Sequence, residues 1–258
     1  MTISKQGKPI TNLDEWHDRA RPKNENQWKP GRSALELANA WLATGSQLPD
    51  DLLRAFGANR MFGKIGSWHA EPEVRLPFDQ SGREPRNSDL VVEARDEHGR
   101  FLTAIEAKAD ESFGENSAQK LADALDQLLT KPRSKQFHRM EQLCMAILGP
   151  KKQRDVPLKD IRYQLLTATA GAICEAARRG IDRAVLFIQE FVTDQTRDSR
   201  HLANQMDLDL FVRRISHGTC TSVPCGKIIG PIALPGEPLF SNSIRFFIGK
   251  VSRNIRGS

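Results

Sequence analysis

The uninterrupted apolar run Ala184–Ile188 is the feature that most constrains the fold of this chain. A strand with one face in solvent alternates apolar and polar residues, whereas a continuously apolar strand is covered on both faces. Sheets of that kind carry helices on both sides. The run is also far shorter than the about 18 apolar residues that a membrane-spanning helix needs. The sequence therefore predicts an α/β domain with a covered central sheet, and no membrane span.

Periodicity along the rest of the chain predicts helices before and after a group of strands. Helices are predicted from Ser33, after Pro49, around Leu121–Leu129, and over Phe137–Leu148, Leu158–Arg179 and Ser199–Ile215. Strands are predicted over Glu73–Phe78, Ser88–Arg95 and Phe101–Ala107, with a C-terminal hairpin of Ile228–Leu234 and Ile244–Val251. This order predicts one domain built around a mixed central sheet flanked by helices.

Composition and charge narrow the class of protein. With 39% hydrophobic and 27% charged residues, the chain is typical of a folded globular domain. The excess of 38 basic over 32 acidic residues favours a polyanionic partner without establishing one. The four cysteines form no Cys-x-x-Cys pair and no zinc-ligand set, which is typical of reduced thiols. The N-terminus lacks the apolar core of a secretory signal, so we expect a cytoplasmic protein.

The second and third predicted strands bring three charged residues together. If His98-Gly99 is the two-residue loop of their hairpin, Asp89 lies directly opposite Lys108. Residues two apart share a face of a strand, so Glu106 and Lys108 lie on the same side as Asp89. A slip of one residue would send Asp89 to the other face, which makes the prediction sensitive to register.

Charges at the ends of apolar strands are costly unless they are paired or bind a ligand. Two carboxylates on neighbouring strands can converge on one Mg²⁺ ion, and an adjacent lysine can stabilise negative charge that develops on a phosphate. Two carboxylates that bind a metal ion and a nearby lysine are the groups that metal-assisted phosphodiester hydrolysis uses. A cross-strand ion pair between Asp89 and Lys108, without catalysis, is the alternative interpretation.

The arrangement resembles the PD-(D/E)XK nuclease superfamily, because sixteen residues separate Asp89 from Glu106-Ala-Lys108 on two hairpin strands after a helix. The resemblance covers about Ser33–Phe191 and implies a restriction-endonuclease-like αβββαβ core. It implies that Asp89 and Glu106 hold Mg²⁺, with Mn²⁺ as a substitute, and that Lys108 assists the attacking water. The usual Pro-Asp dipeptide is absent, since Ser88 precedes Asp89. We accordingly divide the chain into an arm (1–32), a nuclease core (33–195) and a C-terminal helix and hairpin extension (196–258).

The resemblance also points to two accessory positions. Some members carry a glutamate on the helix before the hairpin, which maps to Glu36 as a further metal ligand or water-orienting group. Glu36 also fits a capping box with Ser33, and the two interpretations stay open. Glu73 on the first strand is the less favoured substitute. Some members place a glutamine on a later helix facing the site, which maps to Gln164; a solvated helix end is the alternative.

Six basic residues in two loops around one helix are candidates for phosphate contacts: Lys131, Arg133, Lys135, Lys151, Lys152 and Arg154. A solvated basic surface is the alternative interpretation. Taken together, the expected function is that of a Mg²⁺-dependent endonuclease of restriction, defence or repair type that acts on double-stranded DNA. A homodimer is an expected arrangement, because cutting two strands commonly needs two sites. The competing hypotheses are a non-cleaving nucleic-acid-binding module and an assembly subunit on the same fold.

Overall fold

The computed structural model describes residues 2–79, 85–241 and 243–257. Within them the chain is an α/β protein, as predicted, with one mixed sheet. The strands are β1 (Thr2–Lys5), β2 (Lys8–Pro9), β3 (Ser67–Leu76), β4 (Arg86–Asp96), β5 (Gly99–Lys108), β6 (Arg183–Val192), β7 (Lys227–Ile232) and β8 (Arg245–Asn254). The helices are α1 (Leu13–Arg19), α2 (Ser33–Leu42), α3 (Asp50–Gly57), α4 (Ser117–Thr130), α5 (Gln136–Leu143), α6 (Tyr163–Arg178) and α7 (Asp198–Ile215).

The strand order across the sheet is β2-β1-β3-β4-β5-β6-β8-β7. Strands β3, β4 and β5 form an antiparallel meander, and β6 is parallel to both β5 and β8. Every residue of β6 except Val192 is buried, which explains its continuously apolar run. The predicted pairing of the two C-terminal apolar runs is confirmed in β7 and β8. However, β8 lies beside β6, so the tail completes the sheet next to its most buried strand.

Helices cover both faces of this sheet, as the apolar run predicted. One face packs against α2 and α3 in a cluster that includes Trp41 and Phe56, and the other packs against α6 and α7 through Leu166 and Phe211. Helix α6 approaches the sheet closely at Gly171, where an added Cβ would lie 3.1 Å from Leu76 Cβ. This close approach holds α6 against the strands that carry the candidate catalytic residues.

Strand β3 changes the face it presents to the core at Glu73. Trp68 and Ala70 pack in the cluster with α2 and α3, whereas Val74 and Leu76 pack in the cluster with α6. In a regular strand these residues would share one face, because they are separated by even numbers of positions. The reversal occurs at Glu73, whose φ is 51°. A non-glycine residue held at positive φ costs about 1–3 kcal/mol, and such strain is found preferentially at functional sites.

Several element boundaries differ from the predicted ones. Strand β3 begins before the predicted Glu73, and residues 158–160 form a separate 3-10 turn ahead of α6. The leucine stripe of α4 is largely exposed, with Leu129 76% accessible, although its spacing resembles that of a buried face. The N-terminal residues add β1 to the sheet beside β3, although the polar sequence of the arm contains no strand pattern that predicts it. No helix in the described residues has the length and apolarity needed to cross a bilayer.

Candidate active site

The β4–β5 hairpin has its loop at Glu97-His98, so the predicted register is wrong by two residues. Asp96 pairs with Gly99 and Leu90 pairs with Ile105; continuing this register places Asp89 beside Glu106. The Asp96 carboxylate accepts a hydrogen bond from the His98 backbone N–H at 2.8 Å, which closes the turn one residue earlier than predicted. A shift of two residues preserves the strand faces, because side chains alternate with a period of two.

The charged ends of β4 and β5 line a recess of about 190 Å³. We call this cavity the carboxylate recess. The side chains around it come from five stretches of the chain: Lys23, Gln27, Ser33, Glu73, Arg86, Asn87, Asp89, Lys108, Glu111 and Gln164. The fold therefore brings predicted residues of the hairpin and of α6 together with residues of the N-terminal arm.

Glu106 lies beneath this recess and is 1% exposed. Its Oε2 atom accepts hydrogen bonds from the Gln164 amide at 3.0 Å and from the Arg86 guanidinium. Its Oε1 atom is buried and has no hydrogen-bond donor within the part of the chain that the structure describes. A buried carboxylate oxygen without a donor or cation is costly, so this atom marks the place where a positive ligand would be favoured.

Asp89 is the second carboxylate of the hairpin. Its Oδ2 atom accepts a hydrogen bond from the Ala107 backbone N–H at 2.7 Å, which ties the side chain to β5. Burial and the negative charge of Glu106 raise the pKa of Asp89 to about 7, against the opposing effect of Lys108 and Arg86. Asp89 and Glu106 therefore repel each other across the hairpin, and a cation between them would relieve that repulsion.

Lys108 is 5% exposed, and its Nζ atom lies 5.3 Å from the centroid of the Phe113 ring. Within the described residues, neither a salt bridge nor a hydrogen bond engages this ammonium group. The alternative interpretation of Lys108 as the direct ion-pair partner of Asp89 is thus not realised in this structure. An ammonium group without an acceptor, at the wall of a recess, is available to a bound anion.

Glu73 contributes a third carboxylate at the position where β3 changes face. Burial and the negative charge of Asp89 raise the pKa of Glu73 to about 8, although the Asn87 amide donates a hydrogen bond to it. Glu73 is the less favoured of the two accessory glutamates that the sequence offers, and alternation along a regular strand contains no signal for a reversal of faces. The observed strain at φ 51° is what turns this segment toward the recess.

We expect the metal-free protein to lose stability as pH rises. Because the folded-state pKa values of Asp89 and Glu73 lie near 7 and 8, above their ordinary 3.8 and 4.5, the folded state holds protons more tightly than the unfolded state. Their contribution to the free energy of unfolding is therefore lost between about pH 4 and pH 8. Glu73→Gln should remove part of this loss and exceed wild type in stability at pH 8 more than at pH 5.

The measurement is urea unfolding in EDTA at both pH values. The control variant is Glu97→Gln, which changes an exposed carboxylate of the hairpin loop. If Glu73→Gln and wild type show the same dependence on pH, the electrostatic description of the recess is wrong.

Glu36 lies in α2 and does not line the carboxylate recess among the described residues. Its Oε1 atom accepts a hydrogen bond from the Gly31 backbone N–H at 2.7 Å, ahead of the helix start. Ser33 does not complete the predicted capping box, because its hydroxyl donates to Glu111 Oε1 at 2.6 Å. The structure thus places Glu36 in the first turn of α2, where it is bonded to the backbone ahead of the helix.

The six predicted phosphate-binding residues are exposed: Lys131, Arg133, Lys135, Lys151, Lys152 and Arg154. The first three precede α5, and the other three follow the π-helical turn Cys144–Leu148. The intervening helical segment spans about 20 Å, so the two groups are far apart. None of the six lines the carboxylate recess. Two basic residues that do line it are Arg86, on the same strand as Asp89, and Lys23, whose proximity the sequence does not reveal.

The described residues contain no cluster of three or more His, Cys, Asp or Glu side chains arranged as a metal site. In the recess, Asp89 interacts electrostatically with Glu106, and Glu73 with both of them.

A family model described as a domain of unknown function (DUF6946) matches residues 9–254. The chain belongs to this family. The DUF6946 match includes most of the N-terminal arm, the hairpin, α6 and the C-terminal strands. Searches of curated proteins and of solved structures found no match. All the residues that line the recess lie within the matched region.

Proposed function

We propose that this DUF6946 protein is a Mg²⁺-dependent nuclease with a restriction-endonuclease-like core of the PD-(D/E)XK type. The order of elements supports the proposal: helix α2 precedes the meander β3-β4-β5, and α6 leads into β6, parallel to β5. This is the αβββαβ order that the sequence resemblance implies. Gln164, the accessory glutamine that the resemblance suggested, lies near the start of α6 and donates to Glu106.

The observation that carries the proposal is the buried Oε1 atom of Glu106, which accepts no hydrogen bond from the described residues. A second carboxylate, Asp89, interacts with Glu106 and has a raised pKa. The residues fit a hard divalent cation, because all candidate ligands are carboxylate oxygens and none is sulfur or imidazole. Mg²⁺ accepts one or two protein carboxylates and keeps its other positions for water and phosphate oxygens. Mn²⁺ has similar ligand preferences and is the expected substitute.

Asp89 and Glu106 would hold the ion, which when bound would polarise the phosphodiester and lower the pKa of a bound water. Arg86 and Gln164 keep the Glu106 carboxylate in place through its Oε2 atom. The Lys108 ammonium, with no acceptor of its own among the described residues, would stabilise the negative charge that develops on the phosphate oxygens. Glu73 would add a third carboxylate to the lining of the recess and so favour a bound cation.

The substrate we propose is double-stranded DNA, cleaved internally, which is supported by the net charge of +6. The test is a plasmid-nicking assay on the purified chain, with size-exclusion chromatography to give its oligomeric state. Conversion of supercoiled plasmid to nicked and linear forms with Mg²⁺ is the expected result. DNA binding without cleavage under any divalent ion would favour the non-cleaving module, and neither binding nor cleavage would favour the assembly subunit.

Glu36 and Glu73 provide a matched pair of substitutions. Glu36→Gln keeps an acceptor for the Gly31 N–H, so we expect it to change stability by less than about 1 kcal/mol and to leave cleavage nearly unchanged. Glu73→Gln removes a carboxyl group that can ionise when a cation occupies the recess, so we expect cleavage to slow by about tenfold or more. The nicking rate of both variants across a Mg²⁺ titration checks this. A steep loss with Glu36→Gln and none with Glu73→Gln would reverse the assignment.

A further inference from the structure

Residues 21–32 form a strap that connects the first helix to the core. Its far end is fixed by an ion pair between Arg32 and Asp110 and by a hydrogen bond from Thr193 Oγ1 to the Gly31 carbonyl at 3.2 Å. Its near end follows α1, whose Trp16 is buried. The strap is therefore anchored at both ends, and its far end is held next to the ends of β5 and β6.

This strap forms one wall of the carboxylate recess. Lys23 and Gln27 line the recess together with Asp89 and Lys108. Lys23 also lines a neighbouring cleft of about 480 Å³ that includes Lys120 and Tyr163. Four residues border both cavities: Lys23, Arg86, Asn87 and Gln164. Lys23 thus lies at the junction between the recess and the wider cleft.

Basic side chains predominate among the charged residues that line the cleft. Among the described residues, these are four cations and one carboxylate: Lys23, Arg86, Lys120, Arg139 and Glu115. Arg86 pairs with Glu106, Lys120 with Glu115 and Arg139 with Asp79, so a bound phosphate would share these cations with carboxylates. If the scissile phosphate of a nucleic-acid strand lies in the recess, the next phosphate along that nucleic acid lies one nucleotide away, toward an opening of the recess. Phosphates along a strand are contacted mainly by lysine and arginine, which position the substrate without reading its sequence.

We propose that Lys23 binds the phosphate next to the scissile phosphate, which makes the strap part of the substrate-binding surface. The inference rests on the proposed nuclease function and adds to it a positioning residue outside the segment that resembles known nucleases. Substrate continues from the recess into the cleft past Lys23, with Gln27 on the same wall.

The test is the affinity of a labelled DNA duplex measured by fluorescence anisotropy over a salt series, with Ca²⁺ replacing Mg²⁺. We expect Lys23→Gln to weaken binding about tenfold at low salt, because a charge-assisted hydrogen bond is lost. The slope of log affinity against log salt should fall by about one. Lys23→Arg keeps the charge and should bind like wild type.

The matched control is Lys29→Gln. Lys29 is exposed on the same strap, but it lines a different cavity and donates to Asn26 Oδ1 at 2.8 Å. It should retain the affinity and salt slope of wild type. If wild type binds and cleaves DNA while Lys23→Gln matches Lys29→Gln, only the inference about Lys23 fails. Tighter binding by Lys23→Gln would overturn it as well, since the strap would then obstruct the site. If wild type neither binds nor cleaves, the proposed function fails with it.

Discussion

Asp89→Asn, Glu106→Gln and Lys108→Met are each expected to lower the rate of plasmid nicking at least about a hundredfold. The first two keep the size of the side chain and remove the negative charge that would hold the ion. The third keeps the length of the lysine and removes the ammonium group at the wall of the recess. All three changes act on groups that lie within or beneath one cavity, so their effects on cleavage should be similar in size and not additive.

Two controls separate lost chemistry from lost folding. Glu93→Gln changes another carboxylate of β4, which pairs with Arg100 at the far end of the strand, and should cleave like wild type. The thermal midpoint of each variant tests the fold. Glu106→Gln is the variant most at risk of losing stability, because Arg86 loses its ion-pair partner. If all three recess variants are folded and nick plasmid at the wild-type rate, the assignment of the site is wrong.

Removal of divalent ions is expected to abolish cleavage, and Mg²⁺ or Mn²⁺ is expected to restore it. Ca²⁺ should support binding of DNA without efficient cleavage, since it shares the preference for oxygen ligands but not the strict octahedral geometry of Mg²⁺. Measured activity in excess EDTA would contradict the metal mechanism.

Binding of the ion should also be visible without any substrate. A ligand that binds only the folded state stabilises it, by about 2.7 kcal/mol at a concentration 100 times its dissociation constant. Mg²⁺ should therefore raise the thermal midpoint of wild type and leave that of Asp89→Asn unchanged. The rise should be larger at pH 8 than at pH 6, because the ion competes with protons on Asp89 and Glu73, whose pKa values lie near 7 and 8. An equal rise in wild type and Asp89→Asn would place the ion elsewhere.

Some features of this protein follow from local sequence alone. The apolar run Ala184–Ile188 predicted a strand covered on both faces, and β6 is that strand. The shared face of Asp89, Glu106 and Lys108 was also predictable, although the register was wrong by two residues. Alternation has a period of two, so an even error in register leaves each side chain on its correct face. Glu36 was also recognisable as a candidate helix cap, because caps depend on neighbours within a few positions.

Other features depend on contacts between distant segments. Glu73 enters the recess because β3 reverses its face there, and the energy of that strained backbone is offset by the packing of Val74 and Leu76 against α6. Lys23 reaches the recess because the strap is anchored to Asp110 and Thr193, which lie far along the chain. Periodicity determines which side of an element faces the core, since it depends on backbone geometry within each element. Which elements meet at the recess was decided by tertiary packing, because that depends on long-range contacts that no local pattern encodes.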